Sequence, residues 1–170
     1  MKLMETERLV IAQFTPDMAQ AVHENSLDED TRRFVPDEVF ETVEEAAETV
    51  AFLMSRYDSA EGPFVYPILL RDGSNIGYVQ LAPIEEGWEI GYHVAKQHTR
   101  HGYATEAVRA FLPKMAERMG LKEIWGVCLR ENTASLRVME KCGFRPVYAG
   151  RGAYQGRERE IVKEIWTDEE

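Results

Sequence analysis

The sequence predicts an α/β (α+β) chain, with a mixed and mostly antiparallel sheet of about seven strands flanked by about four helices. Three observations predict it. Trp88, Ile90, Tyr92 and Val94 alternate with Glu89, Gly91, His93 and Ala95, the period-two pattern of a half-buried strand. From Ala104 the period changes: Ala104, Ala107, Val108, Phe111, Leu112, Met115 and Met119 share one face of a helix. Arg71-Asp72-Gly73-Ser74-Asn75 and Glu85-Glu86-Gly87 are turn sequences that join apolar runs into consecutive antiparallel strands.

The remaining elements follow in order. Arg8 to Phe14 has the β-branched, apolar content of a first strand. Thr15-Pro16-Asp17 opens a helix reaching about Asn25, with Thr15 as candidate N-cap and Pro16 at the first helical position. Ser26 to Phe40 holds Pro36 and many acids and reads as loop or short helix. Thr42 and Glu45 form a capping box before an apolar stripe of Val43, Ala46, Ala47, Val50, Leu53 and Met54. After Gly62-Pro63, Phe64 to Leu70 and Ile76 to Ile84 are strands that pair through the first turn. Gly120 ends the helix that starts near Ala104, and Lys122 to Leu129 is a further strand. Asn132 to Cys142 is a helix stopped by Gly143. Phe144 to Ala149 and Arg157 to Trp166 are the last strands, the latter offering an exposed edge to a second copy of the chain. Gly150-Arg151-Gly152-Ala153-Tyr154-Gln155-Gly156 imitates a dinucleotide fingerprint, but its third glycine is one residue late and no helix follows. It reads as a flexible connection between two strands.

With 170 residues, 44% of them hydrophobic, the expectation is one domain over residues 1–170. Met1 to Glu5 is not a secretory signal, and no apolar run approaches the roughly 18 residues of a membrane span. The two cysteines, Cys128 and Cys142, show no metal-ligand spacing, and a reduced, cytoplasmic setting without a metal is expected. The net charge of −10 argues against nucleic-acid binding through a basic face. Glu24 to Glu48 holds ten carboxylates against Arg32 and Arg33. Such a stretch serves either as a site lip that attracts a cationic substrate or as a solvated helix face and loop.

Between the alternating strand and the helix lies Thr99-Arg100-His101-Gly102-Tyr103. The first turn of a helix has N–H groups without intrahelical acceptors, and its dipole places partial positive charge there. Gly102 lets an anion approach the backbone, Arg100 adds a full charge and His101 a partial one. The junction therefore suits a phosphate, although an ordinary strand–loop–helix connection has the same spacing.

The element order, together with Arg100-His101-Gly102-Tyr103-Ala104-Thr105-Glu106-Ala107 and the stretch from Arg130 to Phe144 (RENTASLRVMEKCGF), resembles the GCN5-related N-acetyltransferases (GNAT family). The opening TERLVIAQFTPD is similar to the ribosomal-protein-alanine, RimJ/RimL-like branch. The resemblance implies acetyl-coenzyme A as co-substrate, its pyrophosphate held by backbone amides from Arg100 through Thr105, in a motif where Thr99 replaces the usual Gln or Arg and Arg100 a common glycine. It also implies that the strands 89–95 and 124–129 splay apart, so that main-chain groups of Tyr92, His93 and Val94 meet the pantetheine arm. Asn132 would cap its helix and touch the same arm. Many relatives place the acid for the departing thiolate, a Tyr, where this chain has Met139, and Ser135 is the branch's substitute. Lys141 and Arg137 either reach the 3′-phosphate or lie on a solvated helix face.

The implied reaction is direct attack of a neutral primary amine on the thioester, with an N–H near Val94 for the oxyanion and Glu89 as first candidate for the base. His93, on the same strand face, is the second. The acceptor would be a protein N-terminus, a polyamine or another small amine, cationic if the acidic stretch borders the site. A nucleophilic cysteine is the covalent alternative, and an acyl-CoA-binding module without turnover is the non-enzymatic one.

Overall fold

The computed structural model describes residues 1–168. Eight strands form one sheet in the order β1-β2-β3-β4-β5-β6-β8-β7. The strands are β1 (Lys2–Glu5), β2 (Leu9–Ala12), β3 (Phe64–Leu70), β4 (Asn75–Ile84), β5 (Gly87–Val94), β6 (Glu123–Leu129), β7 (Arg145–Tyr154) and β8 (Arg157–Thr167). Five α-helices accompany them: α1 (Ala19–Asn25), α2 (Glu29–Phe34), α3 (Val43–Arg56), α4 (Tyr103–Met119) and α5 (Thr133–Lys141). Every strand pair is antiparallel except β5 and β6.

Helices cover both faces. α1 and α3 pack through Val22, Val50 and Leu53 on Phe14, Val65 and Tyr78. The opposite face carries the larger core, where Val108, Phe111, Leu112 and Met115 of α4 meet Tyr66, Ile68, Val79, Leu81 and Ile90. The stripe predicted for α4 is this buried face. Sequence signals at helix ends act as expected at most positions. The Thr42 hydroxyl accepts from the Glu45 N–H at 3.1 Å, and the Glu45 carboxylate accepts from the Glu41 N–H at 2.8 Å, one residue earlier than in the usual box. Gly120 ends α4 at φ +68, with the Leu121 N–H on the Ala116 carbonyl at 2.8 Å.

Several expectations are corrected. A strand precedes the predicted first one, and α2 occupies part of the acidic stretch, capped by the Asp28 carboxylate on the Thr31 N–H at 2.7 Å. Thr15 makes no capping bond; its hydroxyl turns to the Asp17 side chain, and Pro16–Met18 form a 3-10 turn before α1. Gly150–Tyr154 belong to β7 itself, so only Gln155 and Gly156 are left to turn the hairpin. The 157–166 strand is not an edge: β8 lies between β6 and β7, and the sheet ends on β1 and β7.

Gly77 sets how closely β4 and β5 approach, since a Cβ there would sit 1.9 Å from the His93 carbonyl oxygen. Gly77→Ala should lose about 3 kcal/mol through overpacking, a drop in Tm of roughly 6–12 °C for a chain of this length. Thr42→Ala should cost only about 1 kcal/mol. Thermal melts of both variants check the two values.

Candidate active site

β5 and β6 share a single bridge, Glu89 with Trp125. Each is fully paired on its other side, β5 with β4 and β6 with β8. Beyond Glu89 the two strands therefore diverge, and a gap opens between Ile90–Val94 and Gly126–Leu129. The Ala95 N–H donates to the Ile76 carbonyl at 2.7 Å, which sets the alternation of the antiparallel β4–β5 ladder. His93 turns its main-chain groups toward β4, while Tyr92 and Val94 turn theirs into the gap. This corrects the expectation that the His93 backbone faces the opening.

Because β5 and β6 run parallel, both lead to helix starts at the same end of the gap. α5 is capped there by Asn132, whose side-chain oxygen accepts from the Ser135 N–H at 3.2 Å. α4 has no side-chain cap. Its N-cap is Gly102 at φ +80, preceded by Arg100 at φ +67 and the exposed His101. The N–H groups of Tyr103, Ala104 and Thr105 in the first turn thus have no acceptor from a capping side chain. A cavity of about 510 Å³ beside this end is lined by Gly102, Thr105, Arg109 and Lys141. Arg109 donates to the Lys141 carbonyl at 2.8 Å, whereas Arg137 lies on the exposed face of α5.

Sequence reasoning missed Arg8 and Arg109. Arg8 stands 4.5 Å over the Tyr103 ring and pairs with Glu106 at 2.7 Å. Burial would raise the Glu106 carboxyl, but bonds from Thr6 and from the Arg8 backbone and guanidinium outweigh it and hold it below its ordinary value. Only the helical spacing of Thr105 and Arg109, four residues apart, signalled the second arginine.

The gap has a floor of hydroxyls on the α4–α5 side. Tyr92 reaches the Ser135 Oγ at 2.6 Å and the Ser135 carbonyl at 3.0 Å. Burial pushes the Tyr92 phenol up, so it stays protonated. Met139 lies beneath β6, where a Cβ on Gly126 would be 2.5 Å from its sulfur. That position is core in this chain, and the hydroxyls sit at Tyr92 and Ser135 instead. Cys128 and Cys142 are pushed up by burial to about 12 and about 11, so neither is a thiolate at neutral pH and the covalent alternative lacks its nucleophile.

The other face of β5 carries Glu89 and His93. Glu89 lines a groove with Trp125, Tyr154 and Lys163, and the Trp125 indole N–H is buried there without a partner. Burial, then the Glu38 and Glu86 carboxylates, push the Glu89 carboxyl up to about 7, against the opposing pull of Lys163. His93 is differently placed. Its Nε2 lies 2.8 Å from the Thr31 hydroxyl and 3.5 Å from Asp28, and its ring stacks on Tyr78. The bond to His93 holds Asp28 down at about 2.

Glu38, also missed, accepts from the Tyr78 hydroxyl, and burial raises its carboxyl. The Asp37 N–H donates to the Gln155 side chain at 3.2 Å, joining the acidic segment to the β7–β8 hairpin tip. The acidic stretch thus divides: Asp28, Asp37 and Glu38 border the site, whereas Glu41, Glu44, Glu45 and Glu48 are exposed.

Comparison with known proteins agrees with this geometry. Residues 8–145 match the family described as Acetyltransferase (GNAT) domain. The uncharacterized N-acetyltransferase YnaD of Bacillus subtilis is 35% identical over 143 residues, covering 82% of this chain and 81% of that one. A GNAT-family acetyltransferase from Bacillus anthracis superposes with a TM-score of 0.84 at 28% identity, over 100% of both chains. RimL, a ribosomal L7/L12 α-N-protein acetyltransferase solved with coenzyme A, shares the fold with a TM-score of 0.83 at 16% identity, over 98% of both chains. With the family match spanning most of its length, the chain belongs to the GNAT acetyltransferases.

Proposed function

We propose that this N-acetyltransferase moves the acetyl group of acetyl-CoA onto a cationic primary amine by direct attack, as a RimJ/RimL-like enzyme of the cytoplasm. The observation that carries the reading is Glu89, a half-buried carboxyl raised to about 7 at the point where β5 and β6 part. The uncapped start of α4 with Gly102 and the unpaired β5 edge fit a diphosphate and an extended arm. Arg100, His101, Gly102, Tyr103, Ala104 and Thr105 would hold the diphosphate, Tyr92, Val94 and Asn132 the arm, and Lys141 with Arg109 the outer phosphate. Bound there, acetyl-CoA supplies an acyl group activated as a thioester.

The chain's own residues do the rest. Glu89, ionised above its midpoint, takes the proton that keeps an ammonium from attacking. The Tyr92 N–H, turned into the gap two residues nearer Glu89 than that of Val94, is a donor for developing negative charge on oxygen, with Glu89 reaching the amine through water. Ser135, backed by Tyr92, donates to the departing sulfur. His93 is a positioning residue, because Thr31 and Asp28 already occupy its Nε2. Asp28 and Glu38 at the rim favour a cation.

Thiol release from acetyl-CoA with a panel of amines tests the proposal. CoA that binds with no release for any amine would support the non-catalytic module in its place. With an amine substrate, kcat should rise with pH through about 7 as Glu89 loses its proton. Glu89→Gln should lower kcat by about 10²–10⁴, move KM for the amine much less and abolish that limb. A pH–rate profile unchanged by the substitution would remove Glu89 from the role. Ser135→Ala should lower kcat about 10- to 100-fold, the worth of a hydrogen bond to a charged group, with calorimetric CoA affinity nearly unchanged. Equal losses in affinity and kcat would assign Ser135 to binding alone.

A further inference from the structure

The face of β4 and β5 that carries Glu89 continues into a second cavity of about 350 Å³ beneath α1 and α3. Its walls are mostly hydrocarbon: Phe14, Val50, Leu53 and Val65 from the smaller core, with Phe40 and Phe52 at the sides. We propose that this cavity receives the side group of the acceptor, so that the enzyme acts on primary amines bearing a ring or branched hydrocarbon. The inference rests on the acetyltransferase reading of the Glu89 site and adds the class of amine.

The strand register connects the two places. Ala82 is paired with Glu89, Gln80 with Gly91 and Tyr78 with His93, and Ala82, Gln80, Tyr78 and His93 all line the cavity. Glu89 to His93 spans about 13 Å of extended strand, the reach of an amine followed by a phenyl-sized group. Between them Gly91 has no side chain, and Gln80 lies flat over it, 2.8 Å from where a Cβ would be. The floor is therefore low from the base to the cavity.

Charge sets the orientation. Glu38 lines the cavity at Tyr78 and is near enough to Glu89 to disfavour its ionisation. An ammonium placed between the two carboxyls relieves that repulsion and leaves its hydrocarbon pointing inward. A polyamine laid the same way would put a second ammonium among Val50, Leu53 and Val65, where desolvation is costly. A small amine such as ethylamine would leave the cavity unused.

The test compares 2-phenylethylamine, 3-methylbutylamine, ethylamine and spermidine as acceptors with wild-type enzyme and acetyl-CoA. The first two should exceed ethylamine in kcat/KM by at least about tenfold, the discrimination a hydrocarbon pocket gives. Val50→Phe and, from the less buried rim, Thr49→Phe should bring the phenylethylamine-to-ethylamine ratio close to one. Circular dichroism shows which of the two is folded. Ratios near one in wild type, or a ratio that a folded Thr49→Phe enzyme retains, would overturn the inference while leaving the acetyltransferase reading intact. If no amine releases thiol, that reading fails, and calorimetry of 2-phenylethylamine into the CoA-loaded enzyme still decides: binding lost in Thr49→Phe supports the cavity, and no binding overturns it.

Discussion

The main constraint on this molecule is a sheet held together at one point in its middle. β4 with β5, and β6 with β8, are continuous ladders, but between these halves only the Glu89–Trp125 bridge exists. An unpaired strand edge inside a protein normally costs free energy, because its N–H and C=O groups need partners. The chain keeps that edge open beside the starts of α4 and α5. The gap, its hydroxyl floor and the carboxyl face all take their positions from where the bridge stops. The large core below, from Tyr66 to Met115, holds the halves together while their upper parts separate.

Charge follows the same geometry. Arg8 and Arg100 flank the start of α4, Arg109 and Lys141 line the cavity beside it, and the half-buried carboxyls Glu38 and Glu89 lie on the α1–α3 face. On the proposed reading the two ends would attract opposite partners, an anionic cofactor and a cationic acceptor, in a chain whose net charge of −10 alone would repel the first. The Arg8 guanidinium pairs with the ionised Glu106 and Thr6 donates to it, which offsets the carboxylate charge in the first turn of α4.

How much of this was legible in the sequence depended on whether the signal was local. The β5 alternation, the α4 stripe, the Thr42–Glu45 box and the Gly120 and Gly143 stops depend on nearby residues and appear where expected. Lys2–Glu5 is too short to show a period, and α2 is capped by Asp28 inside a stretch whose acids and Pro36 look like loop. Strand order is non-local, so nothing in the residues of β8 shows that β6 and β7 cover both its sides. Glu38, Arg8 and the Tyr92–Ser135 pair were hidden for the same reason: their partners are Tyr78, Glu106 and each other, 40, 98 and 43 residues apart in sequence.

The contact between Tyr92 and Ser135 has a consequence for proton inventory. Two hydroxyls and one carbonyl share two hydrogens; either hydroxyl can donate across the 2.6 Å contact, but the 3.0 Å contact to the carbonyl is a hydrogen bond only when the phenol points at it. If the phenol points at the carbonyl, the serine hydrogen is spent on the phenol oxygen. If the phenol points at the serine oxygen, the serine hydrogen is released to swing outward. Rotation about two single bonds thus switches the floor of the gap from closed to donating without moving a heavy atom or creating an ion, at the loss of the phenol–carbonyl bond, and in the proposed reaction a developing thiolate would offset that loss.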